Sequence, residues 1–180
     1  MHEHRFHGGV ARLRSPERLA WLEAPRVVEL SLQNATLRRA LDVGTGSGIF
    51  AEAFAKAGLE VEGVDANPEM LAAARDLVAG VRFQEGIAES LPYPDAAFDL
   101  VFMGLLFHET DDRLKAMQEA ARVTRQRVAM LEWPYQEQEI GPGLDERLTE
   151  KDIQKFAEQA GLKNLRVVPL QALVLYLLEK

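Results

Sequence analysis

The 180 residues contain no cysteine. Disulfides, thiolate metal sites and thiol nucleophiles are therefore excluded, along with any chemistry that needs a sulfur nucleophile. Long apolar runs are missing too: the longest, residues 172–178, is far short of the roughly 20 residues that span a bilayer, and no N-terminal stretch has the apolar centre of a signal peptide. Basic residues are outnumbered, 21 Lys and Arg against 28 Asp and Glu, and the formal net charge of −7 offers nucleic acid or an anionic membrane no general attraction. Arg122, Arg125 and Arg127 make only a local basic patch. No internal repeat or low-complexity segment interrupts the chain, and 47% hydrophobic residues allow one domain with a substantial core. These features predict a soluble, cytoplasmic, single-domain protein without a membrane span, a monomer or homodimer with a small-molecule partner rather than nucleic acid.

What is present centres on Leu41-Asp42-Val43-Gly44-Thr45-Gly46-Ser47-Gly48. An apolar strand over residues 40–43 stops at glycines and gives way to helix-compatible Ile49-Phe50-Ala51-Glu52-Ala53-Phe54. A second strand, residues 60–64, delivers Asp65 at its carboxyl end, where a carboxylate can accept hydrogen bonds from both hydroxyls of a ribose. Dinucleotide sites use G-x-G-x-x-G to seat a pyrophosphate on a helix N-terminus. Here the third glycine comes one residue early and Ile49 occupies its usual place, which argues against a pyrophosphate. Asp42 beside a diphosphate would repel it, but a carboxylate there suits a ligand bearing an ammonium group. S-adenosylmethionine has the ribose, adenine, ammonium and cationic sulfur that this pattern asks for.

Strand and helix patterns alternate along the remainder, predicting a doubly wound α/β sheet. Ser15-Pro16 and Ala24-Pro25 each place proline at a helix start, giving two short helices before the first strand that could cover the cofactor. Asn67-Pro68-Glu69 caps a further helix whose apolar face carries Met70, Leu71, Ala74 and Leu77. Parallel strands are expected over residues 81–84, 98–103 and 127–132, with an amphipathic helix over 112–124 before the last of these. Thr149 to Asp152 forms a near capping box for a helix that Gly161 closes, and strands near 165–168 and 172–178 pair as an antiparallel hairpin. Phe50 and Phe54, one helical turn apart, read as core rather than as a stacking platform. His2, His4 and His7 lie in a polar terminus without fixed geometry and are not read as a metal site.

The order of motifs resembles the class I S-adenosylmethionine-dependent methyltransferases, most closely the group with the ubiquinone and menaquinone biosynthesis C-methyltransferases. The carriers are residues 41–48, Val64-Asp65, Glu89-Ser90-Leu91-Pro92-Tyr93-Pro94-Asp95 leading into Phe98-Asp99-Leu100-Val101, Leu106-Phe107-His108, and Glu119-Ala120-Ala121-Arg122-Val123. The resemblance implies one methyltransferase domain over residues 1–180, with an N-terminal helical lid at 1–36 and a cofactor-binding core at 37–180. It implies a Rossmann-like seven-stranded sheet, mostly parallel with an antiparallel last strand and helices on both faces. S-adenosylmethionine would lie across the carboxyl ends of the first four strands and leave as S-adenosylhomocysteine, with no metal. Asp42, Gly44, Thr45 and Gly46 would meet its methionine part, Asp65 the ribose, and Ala66, Met70, Ile87 and Ala88 the adenine. Backbone groups at Met103 and Gly104 would touch the amino-acid end. His108 is the candidate general base, since a histidine titrates near neutrality, although a packing role beneath the pocket is the alternative. Glu109 reads as a solvated helix-cap neighbour. Trp133, Tyr135 and Glu132, just after the fifth strand, sit where substrate pockets form in such sheets. Residues 133–148, with Gly141-Pro142-Gly143 as a hinge, and the N-terminal helices are what remains to build a lid. A nicotinamide-dependent oxidoreductase and a non-catalytic S-adenosylmethionine-binding protein are the competing readings. Missing cysteines count against arsenite as acceptor.

Two departures from the family pattern are visible. Thr124-Arg125-Gln126-Arg127 lacks the Pro-Gly-Gly turn common before the fifth strand. Ile87 stands where relatives commonly carry an aspartate that bonds the adenine amino group, a charge-assisted contact whose loss costs about 1.5–3 kcal/mol. Ile87→Asp is therefore expected to tighten S-adenosylhomocysteine binding in isothermal titration; unchanged affinity would show that the wild type makes up the contact by other means.

Overall fold

A strand covered by helices on both faces has no polar side, so the centre of this sheet reads as continuous apolar sequence rather than as alternation. The computed structural model describes residues 9–180. Among them β1 (Arg39–Val43), β2 (Glu60–Asp65), β3 (Arg82–Glu85), β4 (Phe98–Gly104), β5 (Thr124–Glu132), β6 (Lys163–Pro169) and β7 (Val174–Glu179) form one sheet in the order β3-β2-β1-β4-β5-β7-β6. The first five strands run parallel, and β7 is antiparallel to both neighbours, β5 and β6. This is the doubly wound, mostly parallel sheet expected from the sequence. His2, His4 and His7 lie outside the described residues.

Successive side chains enter two separate cores, as the pleat requires. Ala40, Leu100, Phe102, Leu131 and Leu175 face α3 (Ala24–Leu32), α4 (Ile49–Lys56) and α5 (Pro68–Leu77). Their neighbours Leu41, Val101, Met103, Met130 and Tyr176 face α6 (Arg113–Val123) and α7 (Glu150–Gln159). Phe102 is fully buried, with the rings of Phe50 and Phe54 at 4.6 and 5.2 Å, so both α4 aromatics are core.

Helix ends follow the sequence signals. Asn67 Oδ1 accepts the Glu69 amide at 2.9 Å, Thr149 and Asp152 complete a capping box, and Gly161 leaves α7 at φ 79°. Ser15 accepts the Arg18 amide at the start of α2 (Pro16–Leu22). Two features differ from expectation. The polar N-terminal stretch contains a single helical turn, α1 (Val10–Leu13), too short to persist by propensity and anchored by buried Leu13. β5 begins at Thr124, directly where α6 ends, with no intervening turn. Side chains do the joining there: Thr124 Oγ1 donates to Asp99 O at 3.1 Å, and Arg125 donates to Ala96 O at 2.7 Å and Asp99 Oδ1 at 2.7 Å. Of the N-terminal helices, α3 packs into the core on α4, whereas α1 and α2 lie at the carboxyl edge of the sheet. No helix among the described residues is long and apolar enough to cross a membrane.

Phe102→Ala is expected to cost about 3–5 kcal/mol in urea unfolding, the range for emptying a filled aromatic site. A cost below about 1 kcal/mol would contradict its place at the centre of the core.

Candidate functional site

At the carboxyl edge β1 must turn into α4 within a few residues. Gly44, Gly46 and Gly48 adopt φ of 67°, 52° and 80°, the left-handed region that side chains resist. Two of them also lack space: a Cβ at Gly44 would stand 2.7 Å from Leu106, and one at Gly48 2.9 Å from Val78. The amides of Gly44 and Thr45 donate to Val64 O at 2.8 and 3.0 Å. The Gly46 amide donates to Asp65 Oδ2 and the Asn67 amide to Asp65 Oδ1, both at 2.8 Å. Asp65 thus clamps the turn after β1 to the turn after β2.

Asp42 acts beneath this turn. Its Oδ2 accepts from Thr45 Oγ1 at 2.7 Å and from the Ala51 amide at 3.0 Å. Gly48, the N-cap of α4, supplies no side-chain bond, so Asp42 caps this helix from the strand. Asp42 is 2% exposed. Burial pushes its carboxyl up to about 7, against the pull of both hydrogen bonds, and the charge of Asp65 adds to the rise.

Above the turn lies a cavity of about 990 Å³, at the upper end of the roughly 300–1,000 Å³ usual for small-molecule sites. Gly44, Gly46, Asp65, Ala66, Met70, Ile87 and Ala88, all singled out in the sequence, line one wall. Gly104, His108 and Trp133 form the other. Other expected residues do not border the cavity. Asp42 and Thr45 are buried under the loop with their polar atoms committed to one another, and Glu132 is buried at the end of β5; Met103, expected to act through its backbone, sends its side chain into the core against α6. Tyr135 is 53% exposed and does not border the cavity, because the chain turns outward after Trp133. Arg18 and Trp21 of α2, and Ile140 to Pro142 of the loop after β5, border it instead. Trp21 and Trp133 meet there with ring centroids 5.4 Å apart. No apolar period or motif marks these positions; the lid prediction for both segments is the only sequence signal.

His108 sits in a 3₁₀ turn, Phe107–Glu109, which Leu105 introduces at φ 56°, a conformation disfavoured for a branched residue. Glu132, at the end of β5, fixes this turn. Its Oε1 accepts the Phe107 amide at 2.8 Å, and its Oε2 lies 2.7 Å from His108 Nδ1. With Nδ1 donating to this carboxylate, Nε2 is the acceptor nitrogen, with Glu109 Oε1 3.7 Å away. Burial lowers the imidazole pKa, but the charge and hydrogen bond of Glu132, helped by Glu109 and Glu146, outweigh it, and the net shift is upward. Glu109, read from sequence as solvated, borders the cavity. No group of three or more His, Cys, Asp and Glu among the described residues could hold a metal ion.

The Asp42 shift sets a pH dependence. An acid whose folded pKa lies above its unfolded value binds more protons when folded, so its contribution to stability falls as pH rises from 3.8 to about 7. The stability of Asp42→Asn relative to the wild type is expected to grow across that window and level off above it, measured by urea unfolding at successive pH values. A pH-independent difference would contradict the shift.

Comparison with known proteins agrees with this geometry. The model of the family described as "Methyltransferase domain" matches residues 41–131. An uncharacterized methyltransferase of Bacillus subtilis is 44% identical over 93 residues, 49% of this chain and 37% of that protein. The demethylmenaquinone methyltransferase of Thermus thermophilus is 40% identical over 117 residues, 61% of this chain and 53% of that one. The chain thus spans between about a third and about half the length of such curated relatives. A crystal structure of a SAM-dependent methyltransferase from Aquifex aeolicus superposes with a TM-score of 0.82 at 26% identity, over 93% of this chain and 95% of that one. The left-handed glycine turn, the acidic end of β2 and the strand order are accounted for together: the chain belongs to the methyltransferase-domain family and has the class I S-adenosylmethionine-dependent methyltransferase fold.

Proposed function

We propose that this protein transfers a methyl group from S-adenosylmethionine to a small-molecule acceptor by in-line displacement. The observation that carries the reading is the clamped carboxylate of Asp65, facing the same cavity as the bare backbone of Gly44 and Gly46. Each Asp65 oxygen accepts one amide and keeps a second lone pair, so the pair can receive two ribose hydroxyls. Met70, Ile87 and Ala88 offer apolar contact for a purine, and the backbone at Gly44, Gly46 and Gly104 allows close approach of the amino-acid end. Asp42 and Thr45 serve this site indirectly, by holding the glycine turn in shape. When bound, S-adenosylmethionine supplies an electrophilic methyl carbon on a cationic sulfur.

For the chain itself the main tasks are alignment and exclusion of water. Well-oriented reactants reach effective molarities on the order of 10⁵–10⁸ M, so positioning by the cavity walls can supply most of the acceleration. A hydroxyl or acidic carbon acceptor must also lose a proton. His108 Nε2 receives it in this proposal, and Glu132 holds the tautomer and stabilises the resulting imidazolium. The net charge of −7 supports a small molecule over nucleic acid, and we place the activity in the cytoplasm, in a monomer or homodimer whose residues 1–36 and 37–180 act as one unit.

The test is transfer of labelled methyl from S-adenosylmethionine into a small-molecule extract. The wild type is expected to label a compound, with a rate that rises with pH through a midpoint above the ordinary 6.5 of histidine. Glu132→Gln removes the group that raises this pKa and fixes the tautomer, so the rate should fall by about 10² or more, with a lower midpoint. A wild-type rate that is flat with pH, together with full activity of Glu132→Gln, would remove His108 from the chemistry. No labelled product with S-adenosylhomocysteine bound would leave a binding protein.

A further inference from the structure

Residues 133–149 return the chain from β5 to α7 without any helix or strand. Backbone carbonyls in such a segment have no ladder to bond, and those turned inward need another donor. Arg147 provides it. Its side chain does not border the cavity, and the residue is only 5% exposed. Its Nη1 donates to Pro134 O at 3.1 Å, Gln136 O at 2.6 Å and Gln138 Oε1 at 2.7 Å. Nη2 donates to Ile140 O at 3.1 Å and Nε to Pro142 O at 3.0 Å. The guanidinium also lies over the Trp133 ring, 5.4 Å from its centroid.

Three of these partners are cavity residues: Ile140, Pro142 and Trp133. Gly141 packs on the same ring, since a Cβ there would stand 2.8 Å from it. One buried fork therefore sets where this wall stands relative to His108. By contrast, none of its acceptors belongs to β2, α5 or the turn after β3, which carry the cofactor wall.

We propose that Arg147 is a positioning residue that fixes the acceptor half of the cavity and so sets affinity for the acceptor, while leaving cofactor binding alone. This rests on the methyl-transfer reading above. Lysine cannot replace it, because a single ammonium has three donors at a point, whereas the guanidinium presents five in a plane.

The test compares full-length wild type, Arg147→Ala and Arg147→Lys in labelled methyl transfer over a dilution series of small-molecule extract, alongside calorimetric binding of S-adenosylhomocysteine. In both variants the extract concentration giving half-maximal labelling is expected to rise by about tenfold or more, the scale of a misplaced pocket contact. The plateau rate and S-adenosylhomocysteine affinity should stay at wild-type levels. An unchanged half-maximal concentration overturns the proposal, and so does a parallel loss of S-adenosylhomocysteine affinity, which would mean general collapse. Should Arg147→Ala not fold, Gly141→Ala, which presses on the same ring, is expected to give the same rise. If the wild type labels nothing, the methyl-transfer reading fails and acrylamide quenching decides this one. With Trp21→Phe in all proteins, Trp133 is the remaining tryptophan; quenching should increase in Arg147→Lys, and unchanged quenching overturns the positioning role.

Discussion

Two carboxylates hold a turn that the backbone would otherwise leave floppy, and the location of the cavity depends on them. Asp42 caps α4 from β1, and Asp65 joins the turns after β1 and β2. Three glycines in left-handed conformations give this segment a large entropy in the unfolded chain, which fixed partners must offset on folding. The parallel sheet brings both aspartates to one edge. Every strand from β1 to β5 ends there, so the exits of β1, β2, β4 and β5 all open on the same space.

That geometry separates the two halves of the site by origin. The proposed cofactor wall comes from strand exits and the start of α5, elements tied to the core by ladder bonds and buried apolar faces. The proposed acceptor wall comes from α2 and the segment after β5, which depend on side-chain bonds: Arg14, just before α2, donates to Ser47 O and Glu52, and Arg147 gathers the loop carbonyls. Such segments can change residue by residue without disturbing the sheet. His108 stands between the halves, on a turn that Glu132 holds from the neighbouring strand.

Much of this was legible in the chain. An apolar run ending at glycines marked β1, a second strand ending in Asp65 marked β2, caps at Asn67 and Thr149 marked helix starts, and the apolar pattern of α4 placed Phe50 and Phe54 in the core. What stayed hidden depends on contacts between distant residues. Asp42 looks like a ligand group until the Ala51 amide is found 3.0 Å away. Glu132 and His108 pair across 24 positions, and no local period announces it. Thr124 to Gln126 resemble a polar connection, yet extend β5 because Thr124 and Arg125 bond the residues around Asp99. Tyr135 and Trp133, two positions apart, meet solvent and cavity respectively, a distinction made by the path of an irregular loop.

On the proposed reading, the edge at Gly44, Gly46 and Asp65 accepts a single nucleoside without a pyrophosphate. Parallel isothermal titrations of the wild type with S-adenosylhomocysteine and with NADH test it directly. Saturable binding of S-adenosylhomocysteine at one site per chain and no heat of binding with NADH are expected. Saturable NADH binding with none for S-adenosylhomocysteine would contradict it.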